Sequence, residues 1–243
     1  MRALAIVHQP DAGPGVFAEE MNARGVELDT WPIPEERQPP ADPFGYDAVL
    51  TFGGAMNVHQ RWRHRWIKRE LALLAELLER GVPLLGACLG NQLLAEAAGG
   101  EVRRSREPEI GWHRVTVLPV AWDDPLLGPI APSPNVSLPM PATFEAFQWH
   151  SYEAVLPPGA VCLASTRICP QAYRIGERAW GIQFHAEVTE ADANKWTAEY
   201  REDPDAVRIG LDPDALRAET AAKIADWNRF GRELCGRFLE AAA

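Results

Sequence analysis

The chain has 243 residues, 47% hydrophobic and 24% charged, which suits one large globular domain or a domain with an appendage and excludes a disordered chain. Twenty-four basic against thirty-four acidic residues leave a net charge of −10, so a global electrostatic footprint for nucleic acid or an anionic membrane is missing. The opening MRALAIVHQ falls short of a signal peptide and no later run approaches a membrane span. Cys88, Cys162, Cys169 and Cys235 form no CxxC pair, which predicts free thiols and a cytoplasmic protein.

In chain order, ALAIV reads as a strand, VFAEEMNARG as a helix, and VELDTW and DAVLTF as further strands. The run RWRHRWIKRE interleaves basic and aromatic residues but leads directly into LALLAELLER, so it is read as the solvated first half of an amphipathic helix rather than a nucleic-acid patch. PLLGAC then reads as a strand and NQLLAEAAG as a helix. This alternation predicts an α/β fold, an open and mostly parallel sheet flanked by helices, with ligands at the carboxyl ends of the strands.

From about Glu101 the runs HRVTVLPV, AVCLAST, AYRIG and AWGIQFH are short and separated by turns, which adds a small antiparallel β region. The prolines of Asp123 to Phe144 predict a surface loop, read as a connector rather than a cover. TEADANKWTAEY, opened by a Thr cap, and DPDALRAETAAKIADWNRFGRELCGRFLE read as C-terminal helices. The organisation expected is one domain over 1–190 with a helical extension over 191–243 docked on it. Trp62, Trp66, Trp112, Trp149 and Trp180 are read as core or rim packing.

In GACLGNQ, Gly86 and Gly90 flank Cys88 at two residues on each side, the spacing of a nucleophile elbow in which a strained strand-to-helix turn lifts the nucleophile above the sheet. The helix dipole that follows favours a thiolate, and the Leu89 amide would face an oxyanion. The competing reading is a glycine-bounded strand end with a small buried cysteine. In WGIQFHAEVT, His185 and Glu187 stand two apart and so point to one side of an extended chain, the pairing by which a carboxylate orients a base. Gly53 and Gly54 leave backbone amides uncovered, so Gly54 could be a second oxyanion donor, although a plain tight turn explains them equally well. His150 is the rival base, without a carboxylate two residues on, and His113 has less to recommend it. Zinc ligand spacing is absent, so neither a metal nor a cofactor is expected.

FGGAMN, GACLGNQLLA, FQWHSYE and GIQFHAEVT, in that order, resemble the class I glutamine amidotransferases, especially stand-alone members similar to the glutaminase domain of GMP synthase. The likeness runs from the first strand to about Thr189. It implies that Cys88 attacks the γ-amide of glutamine, that His185 acts as base and then acid, that Glu187 orients it, and that Gly54 and Leu89 donate to the oxyanion. It also implies that Gln92, His150 and Ser151 hold the substrate. Two departures stand out: Ala55 follows the paired glycines where many relatives have proline, and no synthetase module follows, so ammonia would feed a synthetase or acceptor subunit in trans. Hydrolysis of γ-glutamyl peptides or conjugates by the same residues is a close variant. A non-catalytic scaffold on the same fold is the reading of another class.

Overall fold

The computed structural model describes residues 1–35, 38–129 and 142–243. In chain order it has β1 (Arg2–Val7), α1 (Gly15–Ala23), β2 (Glu27–Pro32), β3 (Ala48–Thr51), α2 (Trp66–Glu79), β4 (Leu84–Ala87), α3 (Leu89–Ala97), β5 (Glu101–Val117), β6 (Thr143–Val155), β7 (Val161–Ser165), β8 (Pro170–Ile175), β9 (Ala179–Ile182), α4 (Glu190–Ala198), α5 (Pro204–Arg208) and α6 (Pro213–Ala242). The strands form a single sheet in the order β2-β1-β3-β4-β9-β8-β7-β5-β6. The first five are parallel and the rest antiparallel.

The parallel half is an α/β layer covered on both faces, which is why β3 and β4 are buried along their whole length. On β1 the alternation sorts the core. Ala3, Ala5 and Val7 join a cluster with Phe17 of α1 and Leu234 and Phe238 of α6, whereas Leu4 and Ile6 join Leu74 and Leu77 of α2 and Leu93 of α3.

Three local expectations change. The basic run does not begin a helix: Val58–Trp62 is a 3-10 turn and α2 starts only at Trp66. The cause is Asn57, whose side chain accepts from the His59 amide while Gln60 reciprocates to the Asn57 amide, a capping box that starts a separate turn. Trp62 is 78% exposed and so packs in neither core nor rim. FQWHSYE lies within β6, and of HRVTVLPV only His113–Val117 is strand, the end of a much longer β5 that is irregular between Arg104 and Glu109 where Pro108 falls. Of the proline-rich stretch, residues 130–141 lie outside the described residues. Before them, Asp124 caps a buried turn by accepting from the amides of Leu126 and Leu127.

The C-terminal helices pack closely on the sheet layer. Thr189 and Asp192 cap each other's amides at the start of α4, Asp203 caps α5, and Asp212 caps α6. Gly231 of α6 lies against Ala186, so close that a Cβ there would sit 2.0 Å from the Ala186 carbonyl oxygen.

Candidate active site

Four strand ends meet at one edge of the parallel half: His8 after β1, Phe52–Gly54 after β3, Cys88 after β4, and residues 183–188 after β9. Cys88 is the only non-glycine among the described residues with positive φ, +50°, a strained conformation that persists only where the surroundings enforce it. They do so at backbone level: the Cys88 amide donates to Ile182 O at 2.9 Å and the Gly90 amide to Phe52 O at 2.9 Å. The flanking glycines answer to space. A Cβ on Gly86 would lie 2.6 Å from Gly90 O, and one on Gly90 would lie 2.1 Å from Thr51 O. A strand-to-helix turn this close therefore needs both glycines, and α3 begins at Leu89 with its first amides free of helical partners.

His185 and Glu187 do not stand on a strand as their spacing suggested, because β9 ends at Ile182 and a bent segment follows. The bend still brings them together: His185 Nδ1 and Glu187 Oε1 are 2.8 Å apart, which leaves Nε2 free to face Cys88, whose charge interaction with the ring raises the ring's pKa. All three residues are buried. Burial works against a charged imidazole at His185, but the neighbouring Cys88 and Glu187 outweigh it and push its pKa up to about 10. The ring is fixed from several sides. Its backbone amide donates to Phe147 O, its carbonyl accepts from Trp227 Nε1 at 2.8 Å, and Trp196 meets it edge-on at 4.8 Å.

Gly53 and Gly54 pass between His8 and the cysteine. A Cβ on Gly53 would stand 3.0 Å from His185 Cε1, and one on Gly54 would be 3.0 Å from His8 Cβ. With Cys88, Leu89, Gln92, His150, Ser151 and His185, Gly54 lines a cavity of about 610 Å³. Gln92 Nε2 donates to Tyr152 O at 3.0 Å, and the Ser151 hydroxyl reaches Asp205. His150 turns away from the cysteine. Its Nδ1 donates to Tyr152 O at 3.1 Å and its Nε2 lies 3.3 Å from Glu109 Oε2, so it too has a carboxylate, supplied by β5. The Trp149 carbonyl of β6 accepts from the thiol, 3.8 Å from Cys88 Sγ.

Residues 15–199 match the family model for glutamine amidotransferase class-I. The chain belongs to this family. It is 40% identical over 126 residues to a GMP synthase [glutamine-hydrolyzing] of Aeropyrum pernix, covering 51% of this chain and 22% of that one. It is 30% identical over 186 residues to the Aeromonas hydrophila GMP synthase, covering 72% and 32%, so it spans about a fifth to a third of these relatives. A putative glutamine amidotransferase-like protein of Salmonella typhimurium is 27% identical over 78% of this chain and 77% of its own. Among solved structures, a glutamine amidotransferase from Thermotoga maritima superposes with a TM-score of 0.84 at 25% identity over 99% of this chain and 98% of that one. One from Methylobacillus flagellatus gives 0.81 at 26% over 98% and 94%.

In this class I amidotransferase the rim of the cavity comes largely from residues that sequence reasoning did not select. Trp196 and Glu199 of the α4 end, Glu202, Asp203 and Asp205 before and within α5, and Arg104 of β5 all line it. Arg104 holds Asp205 through two contacts of 2.6 and 2.8 Å, and Asp203 accepts from Trp149 Nε1. No short motif marks these residues, which reach the cavity from the C-terminal helices and from β5.

One set among the described residues could offer ligand atoms to a metal: Glu109, His150 and Cys169, all within 4.8 Å of one another. Its chemistry fits a hydrogen-bonded brace better. Glu109 Oε2 already accepts from Gln171 Nε2 at 2.8 Å and Thr166 Oγ1 at 3.1 Å. Burial, and then the Glu109 charge, push the Cys169 thiol well up, which keeps its proton on.

Proposed function

We propose that this amidotransferase hydrolyses the γ-amide of glutamine through a thioester on Cys88. The observation that carries the reading is the positive-φ Cys88 at the tip of a strand, facing an imidazole whose far nitrogen is held by a buried carboxylate. Cys88 Sγ attacks the side-chain carbonyl carbon, and the negative charge that develops on oxygen meets the amides of Gly54 and Leu89. His185, charged at neutral pH, gives its Nε2 proton to the departing nitrogen, so ammonia leaves and a γ-glutamyl thioester remains. His185, now neutral, takes a proton from water as it attacks. Glutamate departs, and the proton returns the ion pair to its starting state. Glu187 holds the ring in one tautomer throughout. Gln92 and Ser151 stand where the amino-acid end of the substrate would lie.

A second reading is favoured by the size of the cavity. A volume of about 610 Å³ lies in the range that encloses drug-sized ligands, more than one amino acid fills. A γ-glutamyl conjugate with a larger leaving group therefore fits the same chemistry. The cavity lining runs on from the cysteine to Glu199–Asp205, which is where the larger group would lie. Release of ammonia and glutamate from L-glutamine, compared with cleavage of a γ-glutamyl dipeptide and with Cys88→Ala as control, separates the two. Ammonia release lost in the variant is expected. Cleavage of the dipeptide alone selects the second reading. Absence of both, with a Cys88 thiol inert to a glutamine-mimicking electrophile, would leave a binding scaffold. The transfer of ammonia to a synthetase subunit in trans belongs to the same proposal, supported by the GMP synthase relatives.

A further inference from the structure

The Gly53–Gly54 peptide raises a problem of orientation. A peptide between two glycines rotates at little cost, because neither neighbour has a Cβ to oppose it. Its carbonyl and amide point in opposite directions in a trans plane, and the described residues contain no cis bond. Unless something holds the carbonyl outward, the Gly54 amide has no reason to face Cys88, and in the opposite orientation a carbonyl oxygen would meet the developing oxyanion.

The holding group lies behind the loop. His8 follows β1 directly and its side chain is fully buried, stacked on Trp66 with ring centres 4.8 Å apart. Its Nδ1 is 3.0 Å from Gly53 O, and its Nε2 is 2.8 Å from Glu70 Oε2 of α2. The other Glu70 oxygen accepts from Thr51 Oγ1 at 2.6 Å, and Glu70 is also fully buried. A backbone carbonyl only accepts. Wherever the proton on the Nε2–Oε2 contact sits, the hydrogen on Nδ1 is therefore committed to Gly53 O. Burial opposes charge on His8, but Glu70 outweighs it and raises the imidazole's pKa, consistent with a ring that donates from both nitrogens.

We infer that His8 and Glu70 are positioning residues for the oxyanion hole, holding Gly53 O away from the cavity so that the Gly54 amide faces the thioester-forming centre. This rests on the amidase reading above. The pair touches no substrate and acts through one peptide. The Ala55 amide donates to Gln9 Oε1 at 2.7 Å, which fixes the next residue but not the Gly53–Gly54 peptide.

The test separates reactions that build an oxyanion from those that do not. His8→Leu combined with Glu70→Gln removes the donor without stranding a buried charge. His8→Asn in the Glu70→Gln background restores an amide donor near the Nδ1 position, again without a stranded charge. Thermal unfolding first establishes that each variant is folded. The double variant is expected to lose about a hundredfold in kcat, the scale of one oxyanion donor, with KM little changed. His8→Asn should recover most of it. Alkylation of Cys88 by iodoacetamide forms no oxyanion, so its rate should match that of the unmodified protein in every variant. A folded double variant with full kcat, or an alkylation rate that falls in step with kcat, overturns the positioning role alone. Unmodified protein that is alkylated at Cys88 yet turns over neither glutamine nor a γ-glutamyl dipeptide overturns the amidase reading, and this inference with it.

Discussion

Replacing Gly90 by alanine sets helix propensity against packing. In a helix interior alanine is favoured over glycine by about 1 kcal/mol, so propensity alone makes Gly90→Ala stabilising. The new Cβ would stand 2.1 Å from Thr51 O and 2.5 Å from Thr51 C, both backbone atoms of β3, where ordinary contact begins at 3.4 Å. Strand and helix must separate by more than an ångström, which strains the Gly90 amide's 2.9 Å bond to Phe52 O. Overpacking of this kind costs about 1–3 kcal/mol, so the net sign is destabilising. The displaced Cys88 loses its register with Gly54 and His185, and a misplacement near 1 Å lowers turnover by about a hundredfold. Urea unfolding and glutamine turnover read the two effects. Gly45→Ala is the control, since a Cβ there meets nothing within 4 Å, and it should change neither. A Gly90→Ala protein as stable and active as the parent would refute the close-approach argument.

The remaining expectations concern the support of His185. With its pKa raised from 6.5 to about 10, its contribution to stability is fully present below pH 6.5 and is lost as pH rises through about 10. The difference in urea midpoint between the parent and His185→Gln should therefore shrink across that window, and a constant difference would contradict the shift. Trp227→Phe strands the buried His185 carbonyl and should cost about 1–3 kcal/mol in denaturant unfolding while lowering kcat more than it raises KM. An unchanged kcat would remove the bracing role of α6. Thr189→Ala breaks the cap of α4 and should cost about 1 kcal/mol, lowering Tm by about 2–4 °C; an unmoved Tm would show that tertiary packing alone starts the helix.

Much of the fold was legible because its signals are local. Apolar runs bounded by turns marked the parallel strands, and the glycines around Cys88 marked the close turn, which the structure shows as two backbone approaches that leave no room for a Cβ on either glycine. Thr189 announced its helix in the same way. What escaped depends on pairings distant in sequence. His150 looked like a histidine without an acid, since its carboxylate, Glu109, comes from another strand. His8 showed no function, because Gly53 and Glu70 reach it only after β1, β3 and α2 have packed. The basic run read as helix because its charge pattern hid the Asn57 cap that ends one turn before α2 begins.

The docking of α6 sets an order of assembly. β4 and β9 are neighbours in space, Leu84 against Ala179, but the base that follows β9 is braced by Trp227 and packed under Gly231, both made later still. A nascent chain thus has its cysteine elbow encoded long before its imidazole can be held in place. The support that Trp227 and Gly231 give to the His185 segment is therefore in place only after α6 docks, well after the cysteine elbow has been made.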